Sequence, residues 1–149
     1  MIRVQKEDFD IGAEIAALRK DRTDAGALAA FAGMVRDFAK GGKIRAMTLE
    51  HYPEMTEKEL QRVELEARSR WPLLDCLIIH RFGRLLPGDN IVLVVTLSAH
   101  REAAFEAAQF LMDYLKTKAP FWKSEESSEG RHWVAASERD DAAAARWQK

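Results

Sequence analysis

Two β-rich apolar runs, residues 75–83 and 90–99, constrain the fold of this chain more than any other feature. Between them lies a Leu-Leu-Pro-Gly-Asp segment, whose Pro87-Gly88 pair is typical of a tight turn. The second run is almost continuously apolar from Ile91 to Leu97, which is typical of a strand covered on both faces. The sequence therefore predicts two strands joined by this turn, the second of them central in its sheet.

Apolar residues at helical spacing predict three helices. The first is short and lies near the N-terminus. The second ends before Pro72 and has Thr56 and Glu59 as a capping box, while the third is long, has Ser98 as its cap and stops at Pro120. Their apolar stripes are Ile11, Ile15 and Leu18; Leu60, Val63, Ala67 and Trp71; and Ala104, Ala108, Leu111 and Leu115, widened by Phe105 and Met112.

Turn residues mark two further chain reversals, at Gly41-Gly42 before the alternating stretch 44–52 and at residues 128–130. The Ala-rich tail that ends in Trp147 predicts a short helix. Because hairpins and helices follow each other without regular strand–helix–strand alternation, the predicted class is α+β, with an antiparallel sheet and packed helices. No repeat or low-complexity linker divides the chain, so residues 1–149 are predicted to form a single domain.

Composition excludes several classes of protein. The 149 residues carry 23 Lys and Arg against 24 Asp and Glu, a balance that argues against nucleic-acid binding. No apolar run approaches the roughly 20 residues of a membrane span, and the charged N-terminus lacks a signal-peptide core. The single Cys76 excludes an internal disulfide, so we expect a cytoplasmic protein that does not bind membranes.

The sequence lacks the residues that several kinds of catalysis require. Cys76 lies within a run of Leu and Ile, where a cysteine is more often buried core than nucleophile. The four histidines are scattered without metal-ligand spacing, so no metal site is predicted. There is neither a serine in a nucleophile elbow nor a Gly-rich phosphate loop, and no cofactor is expected.

Cationic residues cluster at the ends of the predicted elements. Arg36 lies near the end of the apolar and aromatic stretch 25–38, a first strand candidate, and His100 and Arg101 follow Ser98. Lys116, Lys118 and Lys123 lie around the end of the long helix. Free N–H groups at a helix start, next to His100 and Arg101, are suited to an anion such as phosphate. The alternative is a set of solvated surface charges. Lys116 and Lys118 at a helix end also interact favourably with the helix dipole.

The segment Ala-Pro-Phe-Trp-Lys places Lys123 beside two large aromatic residues. Burial of an amine in such a setting lowers its pKa and makes the neutral form available as a general base. Core packing of Phe121 and Trp122 explains the same aromatics equally well. We assign Glu50, His51 and Tyr52 mainly to structure.

Six motifs in order resemble one family: GMVR from Gly33, LEHYPEMT from Leu49, RWPL from Arg70, HRFGRLLPGD from His80, SAHREAAFEA from Ser98 and DYLKTKAPFWKSE from Asp113. Together they resemble the large, catalytic subunit of molybdopterin synthase, over residues 25–134. The resemblance implies an α/β-hammerhead fold, which is compatible with the α+β class. A set of six ordered motifs is far more specific than any short pattern alone.

This resemblance implies a sulfurtransferase of molybdenum cofactor biosynthesis that converts cyclic pyranopterin monophosphate to molybdopterin by adding the two dithiolene sulfurs. The sulfur is expected as a C-terminal Gly-Gly thiocarboxylate on a small ubiquitin-like subunit, whose tail enters a pocket of the large subunit. The expected assembly is a heterotetramer, in which two large subunits form a central homodimer and each carries one small subunit.

Matched motifs imply the substrate pocket: Met34, Val35 and Arg36 in GMVR, His100 and Arg101 in SAHR, Lys116 in DYLK, and Lys123, Ser124 and Glu125 in WKSE. Lys116 and Lys123 are the expected catalytic residues, with Lys116 nearest the thiocarboxylate and Lys123 beside the pterin side chain. Part of the pocket is expected from the dimer mate. Ser124 stands where many relatives have a second basic residue, so an anion contact there needs its hydroxyl or backbone.

Two other functions use the same residues. A scaffold protein could dock an acidic partner on the basic cluster without turnover, and a cofactor-free phosphatase or lyase could use the lysines on a phosphorylated metabolite. Substitution of Lys116 separates the first from catalysis, and phosphate release without a sulfur donor identifies the second.

Overall fold

The structure, a computed structural model, describes residues 1–39, 42–134 and 138–148. Its strands are β1 Ile2–Gln5, β2 Ala27–Met34, β3 Phe38–Ala39, β4 Gly42–His51, β5 Leu73–Arg81, β6 Gly83–Leu85, β7 Asn90–Ser98, β8 Phe121–Ser127 and β9 Gly130–Val134. Its helices are α1 Ile11–Arg19, α2 Pro53–Arg70, α3 Arg101–Thr117 and α4 Glu138–Ala145.

The first sheet has the strand order β1-β5-β7-β2. Strands β5 and β7 are its two central strands and pair antiparallel, as the apolar runs predicted, and the turn between them contains Gly88 at a positive φ of 91°. Such a φ is easily reached by glycine because it has no Cβ. Only β1 pairs in parallel among the strands of this sheet, so the predicted α+β class is confirmed.

Both faces of this sheet are covered because side chains alternate along each strand. On one face, Cys76, Ile78, Val92 and Val94 pack against the stripes of α2 and α3, which include Leu60, Val63, Ala67, Ala104 and Leu111. On the other face, Leu77, Ile79, Leu93 and Val95 pack with Phe9 and the apolar residues of α1. The nearly continuous apolar sequence of β7 therefore reflects a strand buried from two sides.

The second sheet has the order β3-β4-β8-β9. Strand β3 pairs with the start of β4, and β6 pairs with residues 47–49 of β4. Strand β8 begins one residue after Pro120, which stops α3 as predicted, and runs antiparallel to β4 with Leu49 opposite Lys123. A small core of Val35, Met47, Leu49 and Leu85 joins this sheet to the first. Strands β8 and β9 form the predicted hairpin, whereas Gly41 of the other predicted turn lies outside the described residues.

The predicted capping box at the start of α2 is wrong. The helix begins at Pro53, whose fixed φ suits a first helical residue, so Thr56 lies within the first turn and not before it. Thr56 is instead buried, with its hydroxyl 3.2 Å from Nδ1 of His51. Glu59 forms an ion pair with Arg62 one turn further along the helix.

Two details of α3 also differ from the prediction. Its cap residue is His100, and Ser98 is the last residue of β7, where its hydroxyl accepts a 3.4 Å hydrogen bond from the His100 N–H. Phe105 is 66% exposed and does not widen the buried stripe, because the neighbouring Ala103 and Ala104 already fill the surface of α3 that faces the sheet. The predicted C-terminal helix is present as α4, and Trp147 beyond it packs on α3.

Candidate active site

Three of the predicted pocket residues, Arg36, Lys116 and Lys123, interact electrostatically, and we call them the cation cluster. Lys116 lies in the last turn of α3, Lys123 lies on β8, and Arg36 follows the end of β2. The positive charges of both Lys116 and Arg36 act on the Lys123 amine. A local cluster of cations thus exists in a chain whose net charge is only -1.

Lys123 is the least hydrated member of this cluster. It is half-buried, and burial lowers its pKa from the ordinary lysine value. The positive charges of Lys116 and Arg36 lower this pKa further, whereas the negative charges of Glu125 and Asp140 raise it. The Lys123 amine therefore loses its proton more readily than a lysine in water.

Lys116 and Arg36 are the two solvent-exposed members of the cation cluster. Next to Arg36 is an open groove of about 540 Å³, lined by Val35, Arg36, Asp37, Phe38, Pro87 and Gly88. Val35 itself is only 6% exposed, and its backbone binds the turn after β6: its N–H donates to the Asp89 carbonyl oxygen and its carbonyl oxygen accepts from Gly88. Met34, by contrast, is 54% exposed.

The WKSE segment divides between two faces of β8, because alternate residues of a strand point in opposite directions. Lys123 and Glu125 share one face with Phe121. Ser124 lies on the other face, where it is buried and its hydroxyl accepts a 2.9 Å hydrogen bond from Nε of Arg131. The structure therefore brings only the backbone of Ser124, and not its side chain, to the side of Lys123.

His100 and Arg101, which we call the helix-start pair, lie at the opposite end of α3. With a rise of 1.5 Å per residue, Arg101 is about 22 Å from Lys116 along the helix. Both residues of the pair are exposed, and within the described part of the chain the side chain of the cap residue His100 makes no capping hydrogen bond. One chain alone therefore does not bring the helix-start pair to the cation cluster.

A stack of rings that the sequence did not reveal lies beside Lys116. His80 stacks on Phe121 with 3.8 Å between ring centroids and 17° between planes, and His51 contacts Phe121 on a second side at 5.7 Å. Burial lowers the pKa of His51. The histidines are far apart in sequence, so only the fold places them together.

Besides Glu125, a second acidic residue acts on Lys123, and the sequence did not predict it. Asp140 in α4 raises the pKa of Lys123, but no pattern in the Ala-rich tail indicated that this helix returns to the site.

Metal and thiol chemistry find no support in the described part of the chain. It contains no group of three or more His, Cys, Asp or Glu residues that could hold a metal ion. Cys76 is buried, so the expectation of a core cysteine is confirmed, and burial raises the pKa of its thiol to about 12. None of the described helices is long and apolar enough to cross a membrane.

The fold and this site define an α+β protein with a cationic, partly buried lysine site. The model of the MoaE protein family matches residues 4–118. A molybdopterin synthase catalytic subunit of Mesorhizobium japonicum is 54% identical over 149 residues, which is 99% of this chain and 92% of the relative. The chain belongs to this family of catalytic subunits, and it is therefore an enzyme of molybdenum cofactor biosynthesis.

Solved structures agree with this assignment. The molybdopterin biosynthesis MoaE protein of Burkholderia ambifaria superimposes with a TM-score of 0.84 and 54% identity, covering 100% of this chain and 98% of that one. A chain from a Helicobacter pylori complex of subunits 1 and 2 of molybdopterin-converting factor has a TM-score of 0.75, covering 89% of each chain. That chain is 19% identical, so it supports the fold alone.

Proposed function

We propose that this protein transfers sulfur from the C-terminal thiocarboxylate of a small ubiquitin-like subunit to cyclic pyranopterin monophosphate, forming the dithiolene of molybdopterin. The observation that carries the proposal is the half-buried Lys123, whose pKa is lowered by burial and by the positive charges of Lys116 and Arg36. A cation cluster suits two anions at once, the thiocarboxylate and the substrate phosphate. The family supplies the reaction, and this geometry supplies groups suited to it.

The chemistry requires both charge stabilisation and proton transfer. A thiocarboxylate sulfur that bonds to a carbon of the pterin side chain displaces an oxygen substituent from that carbon and forms a thioester. Water then cleaves the thioester, which leaves the sulfur on the pterin and a carboxylate on the tail. Lys123, with its lowered pKa, is suited to accept and return protons in these steps. Lys116, exposed at the end of α3, is suited to stabilise negative charge on the incoming tail.

The separation of the two ends of α3 supports a pocket built by two copies of the chain. His100 and Arg101 are about 22 Å from Lys116 within one chain, so they reach a substrate held there only from a dimer mate. Strand β2 is an edge strand with exposed Phe31 and Met34, a surface suited to a second subunit. The expected heterotetramer adds one small subunit to each large one, and the relative from Helicobacter pylori is described as a complex of two subunits.

The remaining pocket residues have different parts in this proposal. Met34 offers an exposed apolar side chain at the mouth, while Val35 and Ser124 can contribute only their backbone. Glu125 is suited to bind a cationic or hydrogen-bonding part of the pterin and to moderate the charge of Lys123. We further propose that residues 1–149 act as a single domain in the cytoplasm, where a free thiol such as Cys76 remains reduced.

A single-turnover assay tests this function. The protein is mixed with a thiocarboxylated small subunit and cyclic pyranopterin monophosphate, and the mass of the pterin is followed. Lys116→Ala is expected to abolish product formation while the small subunit still binds, whereas Lys118→Ala, an exposed lysine at the same helix end, retains activity.

Other outcomes identify other functions. Binding of the small subunit without any gain of pterin mass in the wild type favours a scaffold. Release of phosphate from the pterin without the sulfur donor favours a phosphatase or lyase. Full activity of Lys116→Ala contradicts the role given to that lysine.

A further inference from the structure

His80 is a buried polar residue to which the proposed reaction gives no role. It is 7% exposed and follows Cys76 and Ile78 on the face of β5 that α2 and α3 cover. Its Nδ1 is 2.8 Å from the carbonyl oxygen of Arg81. Since a carbonyl oxygen only accepts hydrogen bonds, Nδ1 carries the proton and donates it, and this bond fixes the ring plane.

The fixed ring supports the start of β8. Its near-parallel stack on Phe121, at 3.8 Å, joins the first sheet to the strand that carries Lys123. Phe121 and Lys123 are two residues apart, so they share one face of β8 and move together. Aromatic pairs of this kind are favourable beyond the area that they bury. The His80 ring therefore has a direct structural path to the Lys123 amine.

Charge explains why an imidazole can occupy this position. Burial lowers the pKa of His80 to about 4, the Arg81 carbonyl opposes this, and the positive charges of Lys116 and His51 lower it further. His80 is thus neutral at ordinary pH and adds no further positive charge beside Lys116. A neutral ring with one anchored N–H is rigid without repelling the cation cluster.

We propose that His80 is a positioning residue for Lys123: its ring, anchored on the Arg81 carbonyl group, is the surface on which Phe121 stacks, and this stack holds β8 so that Lys123 faces Lys116. The kinetic part of this inference rests on the proposed function. The structural part concerns the surroundings of Lys123 and does not depend on turnover.

Two substitutions separate the ring from the side-chain volume. His80→Leu fills the site without an aromatic face, and His80→Phe restores a ring that can stack on Phe121. Ile78→Ala is the matched control, because it removes buried volume from the same face of β5, and Ile78 belongs to the core cluster that does not include Phe121. Thermal unfolding first establishes that each variant is folded at the assay temperature.

The kinetic measurement is single-turnover sulfur transfer at saturating small subunit over a range of pterin concentrations. We expect His80→Leu to lower the maximal rate about tenfold or more, because small displacements of a catalytic group are costly. The pterin concentration that gives half of this rate should not change. His80→Phe should recover most of the rate, and folded Ile78→Ala should equal the wild type. Lost activity in both His80 variants, or wild-type activity in His80→Leu, overturns the proposal.

A second measurement needs no turnover. Lysine side chains are dimethylated with ¹³C-labelled methyl groups, the Lys123 signal is assigned with Lys123→Arg, and its pKa is read by NMR. The pKa of Lys123 should rise in His80→Leu, because water reaches the amine, and return toward the wild-type value in His80→Phe. If the wild type transfers no sulfur, the proposed function fails while this arm still decides the positioning role. An unchanged pKa in folded His80→Leu contradicts that role.

If His80→Leu does not fold, His80→Gln takes its place, since it keeps an N–H donor but has no ring. The proposal then requires slow transfer in His80→Gln and fast transfer in His80→Phe, and the reverse order overturns it.

Discussion

The two ends of α3 carry basic residues in different surroundings. At its start, His100 and Arg101 are exposed to water. At its end, Lys116 lies beside a half-buried Lys123, whose pKa is lowered by burial and by neighbouring positive charges. Burial changes the chemistry of an amine because it disfavours the charged form. The proposed function accordingly gives proton transfer to the end of α3 and charge stabilisation to its start.

The largest expected effect is the loss of the buried amine. Lys123→Met keeps the length and apolar stem of the side chain but removes its nitrogen, and sulfur transfer should fall roughly a thousandfold. Single-turnover pterin mass measures this loss, and unchanged binding of the small subunit is the control. A rate within a few-fold of the wild type would show that Lys123 is not the proton-transfer group.

Acid stability compares a buried histidine at one end of α3 with an exposed one at the other. The folded-state pKa of His80 is about 4 and the unfolded value is about 6.5, so the unfolded chain binds more protons between these pH values. Acidification from pH 6.5 to 4 should therefore lower the free energy of unfolding by up to about 3 kcal/mol through this group. Urea unfolding at several pH values measures the loss.

His80→Leu should remove this part of the pH dependence, and His100→Leu should retain it because His100 is exposed. An identical acid profile for His80→Leu and the wild type contradicts the burial-induced pKa shift.

Loss of charge at the helix start should have a smaller effect than loss of Lys123. We expect Arg101→Ala to slow sulfur transfer by about 2 kcal/mol of activation free energy, or roughly thirtyfold. If a dimer mate supplies this residue, coexpression of Arg101→Ala with Lys123→Met forms mixed dimers in which one site has both groups intact. Activity above that of either variant alone is the expected result, and no recovery in verified mixed dimers argues against a shared pocket.

The smallest expected effect comes from the counter-charge of Lys123. Glu125 raises the pKa of Lys123, so Glu125→Gln should lower it. If neutral Lys123 is the base, the rate rises with pH through this pKa, and the midpoint of the profile should move to lower pH. Glu129→Gln, in the exposed turn before β9, is the control, and a midpoint that moves upward would contradict the electrostatic assignment.

Most of the fold could be predicted because its signals are local. Strand β7, the stripe of α3 and the stops at Pro72 and Pro120 all follow from periodicity and from the backbone limits of proline. The capping box at Thr56 failed because two local signals competed, and Pro53 began the helix earlier. Phe105 failed because periodicity gives a face of a helix but not the width of the surface that the sheet covers.

The site was only partly predictable. Lys116 and Lys123 are seven residues apart, and a proline-containing turn returns the chain between them, so sequence indicated their proximity. His80 and Asp140 carry no local sign of a role, because they reach Lys116 and Lys123 through β5 and α4. The alternation of β8 likewise decides that the Ser124 side chain turns toward Arg131.

By itself, the sequence determined most of the helices and strands, but not β1 or β6, and it determined which family the motifs resemble and which cations are available for chemistry. These properties depend on neighbouring residues along the chain. Only the tertiary structure decided that Lys123 is half-buried and that the pKa of His80, which stacks on Phe121, is lowered by burial. The physical reason is that pKa values and distances depend on what surrounds a group in space, and distant parts of the chain supply those surroundings.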